Sequence, residues 1–151
     1  MDLKPDLKPG TTFEGPSKTL TDAHFLLFSG ITGDVHPIHY DVEYAKQTRF
    51  GKPLAHGLLL ASLTALGAST ARDHIDGLVF VEQGCRYLKP AIVGDTIRPR
   101  FTLEKIWREG HRTFYRFETR LLNQRGETLL EGFHVYRAFE IHANPQGNED
   151  V

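Results

Sequence analysis

Leu54-Ala55-His56-Gly57-Leu58-Leu59-Leu60-Ala61-Ser62-Leu63-Thr64-Ala65-Leu66-Gly67-Ala68 is the most apolar stretch of this chain. Pro53 precedes it, and a proline suits the first turn of a helix, where its missing N–H has no bond to lose. The spacing predicts a helix from Leu54 to Ala71 with leucine on nearly every side. A helix that is apolar all round is buried all round, so other elements must wrap it. The run is too short to span a bilayer.

The wrapper follows directly. Leu78 to Leu88 reads as a strand closed by Lys89-Pro90, and Gly94-Asp95 as a turn. Thr96 to Trp107 is a second strand, with Ile97, Phe101, Leu103 and Ile106 as its apolar members, ended near Gly110. In a third, Thr113 to Leu122, alternation puts Tyr115, Phe117 and Leu121 on one face and Arg116, Glu118 and Arg120 on the other. Asn123-Gln124-Arg125-Gly126 signals a hairpin, and Glu127 to Ile141 is the fourth strand. Strands joined by short turns predict an antiparallel meander. The expected class is therefore α+β, one domain over 1–151, with an antiparallel sheet curled round a long central helix. An open sheet has an exposed edge that invites pairing, so a homodimer is expected.

Upstream, Leu-Lys-Pro occurs twice within residues 1–10, which read as an extended arm. Thr11 to Glu14 and Lys18 to Leu20 are expected as short strands around Gly15-Pro16. Thr21 is a candidate N-cap for a helix on which His24, Phe25, Phe28 and Ile31 recur at helical spacing, and Gly33 can stop it. Asp41 can cap a second helix, Val42 to Thr48, with Tyr44 and Ala45 turned inward. The polar tail 142–151 is expected to be disordered.

The chain has 151 residues, 40% apolar and 25% charged, with a formal net charge of −1. No basic tract appears, so nucleic acid and anionic membranes are not expected partners. The single cysteine, Cys85, excludes an internal disulfide and suggests a reducing compartment. Cys85 is read as an inert buried thiol. With no apolar N-terminal signal in view, the expected location is the cytoplasm.

Chemistry gathers in Gly33-Asp34-Val35-His36-Pro37-Ile38-His39-Tyr40-Asp41. Pro37 stiffens this loop and biases His36 away from helix. A carboxylate and an imidazole held close together in a partly dry place can form a general acid–base pair, and Asp34 with His39 is the candidate.

This loop, followed by Phe50-Gly51-Lys52-Pro53-Leu54-Ala55-His56-Gly57-Leu58-Leu59, resembles the hydratase segment of the MaoC-like, (R)-specific enoyl-CoA hydratase family. Arg86-Tyr87-Leu88-Lys89-Pro90 and Val93-Gly94-Asp95-Thr96 resemble a second, mostly structural signature. The resemblance runs from about Thr11 to about Tyr136. It implies a hot-dog fold and reversible hydration of a 2-enoyl thioester carried on CoA or acyl carrier protein. It also implies that Asp34 and His39 are the catalytic dyad and that the backbone N–H of Gly57 serves the oxyanion. His36 stands where the family most often has Asn, and Ala65 replaces a serine that some members carry.

Hydration needs a deprotonated water at Cβ, a stabilised enolate oxygen and a proton for Cα. Asp34 and His39 can hold and deprotonate water. An unpaired N–H at Gly57 can face the oxyanion, at the positive end of the helix. His56 is expected to orient the loop or cap the helix, and His36, His56 and Leu58 to line the substrate. Arg49, Lys52, Arg86 and Lys89 are candidates for the phosphates of an acyl-CoA. No metal or redox cofactor is expected. Three rivals remain. His36, His39 and His56 could hold a metal. The fold could serve a thioesterase, although 54–71 contains no Asp or Glu. The chain could also be a non-catalytic acyl-binding subunit.

Overall fold

The structure, a computed structural model, describes residues 7–73, 75 and 77–139. Its strands are β1 Thr12–Glu14, β2 Lys18–Thr19, β3 Leu78–Tyr87, β4 Thr96–Glu109, β5 Arg112–Asn123 and β6 Thr128–Ala138. They form one antiparallel sheet in the order β1-β4-β5-β6-β3, with β2 also on β4. The strands β4, β5 and β6 are the predicted meander, turned at Gly110 and at Asn123–Gly126. The Asn123 side-chain oxygen accepts from the N–H groups of Arg125 and Glu127, each at 3.0 Å, which fixes the second turn. Tyr115, Phe117 and Leu121 are buried as expected, while Arg116 and Arg120 pair with Glu104 and Glu118 on the outer face.

The position of β3 differs from a simple meander, because it pairs with β6 and not with β4. Its exit is held there, since the N–H groups of Leu88 and Lys89 both donate to the Leu129 carbonyl. The chain then passes the segment before α3, where Ile92 bridges to Leu54, before β4 begins. Among the described residues no strand pairs the outer edge of β3.

The central helix is shorter than its composition suggests. It is α3, Gly57–Ser62, followed by 3-10 turns at Leu66–Ala68 and Thr70–Asp73. Residues 53–55 are extended instead of helical because their backbone is committed elsewhere. Leu54 N–H donates to Ile38, Ala55 N–H to Ala91, and Pro53 accepts from Val93. At the other end the hydroxyls of Ser62 and Thr64 bond the carbonyls of Leu59 and Ala61 at 2.7 and 2.6 Å. Such back-bonding competes with helix propagation. Nor is α3 buried all round, since Leu58 is 70% exposed.

Two apolar clusters lie along this segment. Leu59 and Leu60 pack with Leu20, Phe25, Ile97, Leu121 and Leu130, while Leu66, Ala71 and Ile75 pack with Phe101, Leu103, Phe117 and Tyr136. Each buried leucine, isoleucine or phenylalanine among them contributes about 1.5–3 kcal/mol. The helix α1, Asp22–Thr32, is capped by Thr21 and ends at Gly33 in the left-handed conformation, φ 77°. It buries Phe25 but leaves Ile31 in solvent, contrary to its predicted place on the apolar face. The helix α2, Val42–Lys46, is capped by Asp41, whose carboxylate accepts from Tyr44 N–H at 3.0 Å. Ala45 is buried, whereas Tyr44 is exposed. Cys85 is also exposed, on β3, not a buried thiol. No helix of the described residues is long and apolar enough to cross a membrane. Most of the arm and the tail 142–151 lie outside the described residues.

Candidate active site

Asp34 follows directly on the C-cap of α1. Its Oδ1 accepts from His36 N–H at 3.4 Å, and its N–H approaches Thr32 Oγ1 at 3.3 Å. Pro37 opens a 3-10 turn, Pro37–His39, for which His36 is the N-cap, accepting at Nδ1 from Ile38 N–H at 3.2 Å. Tyr40 O–H closes the loop onto the Val35 carbonyl at 2.9 Å.

This turn buries His39. Its Nδ1 lies 2.7 Å from the Leu54 carbonyl oxygen. A carbonyl only accepts, so Nδ1 carries the hydrogen, and in the neutral ring the lone pair is on Nε2. That Nε2 faces Asp34 Oδ2 at 3.8 Å. The gap is too long for a direct hydrogen bond and suits one water bonded to both groups. The Asp34 side chain is half exposed, so the site opens to solvent on its carboxylate side.

His56 backs this pair. Its ring stacks on His39 with centroids 3.6 Å apart and planes 19° from parallel. Its Nε2 lies 3.0 Å from Ser29 Oγ and 3.3 Å from the Asp34 carbonyl oxygen. The carbonyl again assigns the hydrogen to that nitrogen, which leaves Nδ1 buried without a partner among the described residues. Burial, and secondarily the charge His39 would carry, hold His56 below its ordinary pKa. His56 makes no side-chain cap to α3 and instead ties the Asp34 backbone to the helix start.

Gly57, the first residue of α3, is exposed, and its N–H has no acceptor inside the helix. A Cβ at this position would lie 3.3 Å from Tyr87 Cζ, so the glycine keeps a narrow passage open beside that ring. With α3 only six residues long, the macrodipole adds less than a long helix would, and the unpaired N–H itself is the useful donor.

The model of the MaoC like domain matches residues 6–120. The chain belongs to the MaoC-like family. The (R)-specific enoyl-CoA hydratase of Rhodospirillum rubrum is 29% identical over 127 residues, covering 84% of this chain and 85% of that protein. The 3-hydroxybutyryl-CoA dehydratase of Methylorubrum extorquens is 32% identical over 107 residues, 71% of this chain and 67% of its own. Among solved structures, R-hydratase PhaJ1 from Pseudomonas aeruginosa superposes with a TM-score of 0.78 at 26% identity, covering 90% of this chain and 84% of that one. Hydro-lyase, the enzyme class expected from the sequence, is the class these names describe. The curled sheet and its inner helix are the hot-dog fold expected from the motifs.

Around this MaoC-like centre the remaining predicted residues are scattered. Leu58 stands exposed next to Gly57. His36 is exposed and lies outside the tight cluster, its ring centroid 6.3 Å from that of His39 and 5.6 Å from that of Tyr44. The three ligand atoms that do converge, within 4.8 Å, belong to Asp34, His39 and His56. Arg49 stacks over the Phe50 ring at 4.9 Å, and Lys52 is exposed in the turn that follows. Lys89 is committed to Glu127 at 2.6 Å. Together with Asn123 and Arg125 it holds the Glu127 carboxyl down to about 2. Arg86 alternates with Tyr87 on β3, so it faces the outer side with Glu118 and Phe133, away from Gly57. Three contributors escaped sequence reasoning: Ser29, the Leu54 carbonyl and the Tyr87 ring. Ser29 has no local signal, since its partner His56 lies 27 residues away. Tyr87 carries no signal beyond its place in the structural signature Arg86–Pro90.

Proposed function

We propose that this MaoC-like chain catalyses reversible hydration of a 2-enoyl thioester to the 3-hydroxyacyl thioester, with CoA or acyl carrier protein as the carrier. One observation carries the reading: His39 Nε2 and Asp34 Oδ2 face each other across 3.8 Å, with the His39 tautomer held by Leu54. Water bonded to both groups gives its proton to His39 Nε2 as its oxygen attacks Cβ. The Cα–Cβ π electrons move toward the thioester carbonyl, and the enolate oxygen accepts a hydrogen bond from the Gly57 N–H. The proton returns through the pair to Cα, so H and OH are added and nothing is left over. Dehydration is the same path reversed.

Glycine at 57 lets the thioester approach the backbone beside Tyr87. Arg49 and Lys52 are the cations placed in the segment leading to the site, and we assign them to the carrier phosphates. His36 and Leu58 stand at its rim. A homodimer joined along β3 completes the reading, on the exposed Val79, Phe80 and Val81 of that free edge. The single thiol suits the cytoplasm.

The reading needs no metal or redox cofactor. One nitrogen of His39 is taken by Leu54, and His56 Nε2 by Ser29 and the Asp34 carbonyl. The two rings stack nearly parallel instead of converging on a point. Stoichiometric zinc in the purified protein, with activity lost on chelation, would replace this reading. Crotonyl-CoA is the deciding substrate, with enoyl absorbance and free thiol followed in parallel. Loss of absorbance without thiol is the expected result, and thiol release would make the chain a thioesterase.

A further inference from the structure

Both members of the Asp34–His39 pair are tied to His36, an exposed residue between them. Its N–H donates to Asp34 Oδ1 at 3.4 Å, while Oδ2 is the oxygen that faces His39. Its carbonyl oxygen accepts from His39 N–H at 3.1 Å. Its ring Nδ1 accepts from Ile38 N–H at 3.2 Å and so caps the 3-10 turn Pro37–His39. Leu54 holds the other side of that turn. Its N–H donates to the Ile38 carbonyl at 3.0 Å, and its own carbonyl accepts from His39 Nδ1. Ile38 is therefore bonded on both sides, and only the bond to the His36 ring depends on a side chain.

We propose that His36 is a positioning residue: its neutral ring keeps the turn that carries His39 closed, and a proton taken up by that ring releases it. The inference rests on the hydration reading above. Accepting at Nδ1 places the ring hydrogen on Nε2, so the next proton goes to Nδ1. Both nitrogens of an imidazolium are donors, and a donor would then face the Ile38 N–H. The ring has to turn away, and the cap is lost.

The titratable groups that face His36 are Asp34 on the loop before it, His39 on the turn and Tyr44 on α2. The ring centroids of His39 and Tyr44 lie 6.3 Å and 5.6 Å from its own. A cation here has the Asp34 carboxylate as countercharge, the same group that must hold the attacking water. It also stands beside His39, which takes the proton of that water, and like charges oppose each other. Loss of the cap and both charge effects slow hydration in the same direction, on acidification. Imidazole changes charge between about pH 5 and 8, and the exposed ring meets solvent protons without any opening of the fold. Asparagine at this position would offer a carboxamide oxygen to the same N–H and keep it at every pH.

The test follows crotonyl-CoA hydration from about pH 8 to about 5.5 in the parent, His36→Asn and His36→Ala, each profile normalised to its own value at the upper end. Over that range the parent should lose about tenfold more of its kcat than His36→Asn does. At the upper end His36→Ala should lose about tenfold in kcat with a smaller change in KM, and His36→Asn should recover most of that loss. A residue that only touches substrate would show itself in KM instead. Parallel normalised profiles for the parent and His36→Asn would overturn the proposal, as would a kcat no better in His36→Asn than in His36→Ala. NMR of isotope-labelled protein reads the same bond without turnover. The Ile38 amide should shift together with the His36 ring signals in the parent and stay nearly still in His36→Asn. An Ile38 amide that ignores the His36 titration overturns the proposal. Coupled shifts in a protein that leaves crotonyl-CoA untouched would uphold the hold on the turn and dismiss the hydration reading instead.

Discussion

The Nδ1 of His39 sits 2.7 Å from the carbonyl oxygen of Leu54, and this one contact decides which nitrogen faces Asp34. The contact depends on residues 53–55 being extended and not helical, because an intrahelical carbonyl would be occupied. The loop therefore carries the dyad, and the approach to α3 sets its tautomer. Asp34→Asn keeps the shape and removes the charge, and His39→Gln keeps a polar side chain but no base. Each should cut the crotonyl-CoA hydration rate by about 10²–10⁴. Far-UV circular dichroism should stay as in the parent, because Asp34 is half exposed and the buried His39 is replaced by a polar side chain. Near-normal turnover in either variant would remove the dyad from the mechanism.

The Gly57 N–H can be tested with two variants that share an added Cβ and differ in the donor. His56 has φ −60° and ψ 138°, an extended conformation that a following proline accepts. Proline is also suited to the first helical position. Gly57→Pro therefore deletes the donor with little damage to α3. The expected loss is about 10²–10³ in kcat. Gly57→Ala keeps the donor and, like proline, brings a Cβ to 3.3 Å from Tyr87 Cζ, so it should raise KM more than it lowers kcat. Steady-state kinetics of the two variants separate donor from space. Equal kcat losses would mean that crowding, not the N–H, is what matters at this position.

Much of this arrangement is visible in local sequence, and what is not has a common cause. Thr21, Gly33 and Asp41 act at helix ends through bonds to near neighbours, and each stands where capping chemistry predicts. The alternation along β5 is equally local, and so is the proximity of Asp34 to His39 across a proline turn. The partner of β3 is not local, because it follows from Leu88 and Lys89 being held by Leu129. The length of α3 is not legible in its leucines, because leucine content reports burial, whereas the helix end is set by the hydroxyls of Ser62 and Thr64. Ser29 supports His56 across 27 residues and carries no spacing signal at all.

The edge of β3 should govern assembly. Val79 and Val81 are each about half exposed on the last strand of the sheet. A lysine on such an edge is a natural means of blocking strand pairing. The parent protein should sediment as a dimer, and Val79→Lys should weaken its association at least about tenfold. Far-UV circular dichroism should not change, since the β3–β6 ladder is untouched. A parent that sediments as a monomer at all concentrations would remove the β3 edge as an interface.

His134 should make stability fall on mild acidification. Its side chain is buried and its folded value is about 4, whereas in the unfolded chain it titrates near 6.5. Between those values the unfolded chain binds a proton that the folded chain refuses. The contribution is thus fully present above pH 6.5 and is lost as pH drops toward 4. The slope is about 1.4 kcal/mol per pH unit, or roughly 3 kcal/mol over the whole window. His56, also lowered by burial, pulls in the same direction. Glu127 acts further down, between its ordinary value and about 2. Tyr136, which faces His134, stays protonated throughout because burial pushes it up to about 12. Urea unfolding midpoints at about pH 7.5, 6 and 5 read the effect. His134→Gln keeps a hydrogen-bonding group without the titration, so its midpoint should start lower at pH 7.5 and change less between about pH 6 and 5. Parallel pH curves for the two proteins would assign the acid sensitivity to other groups.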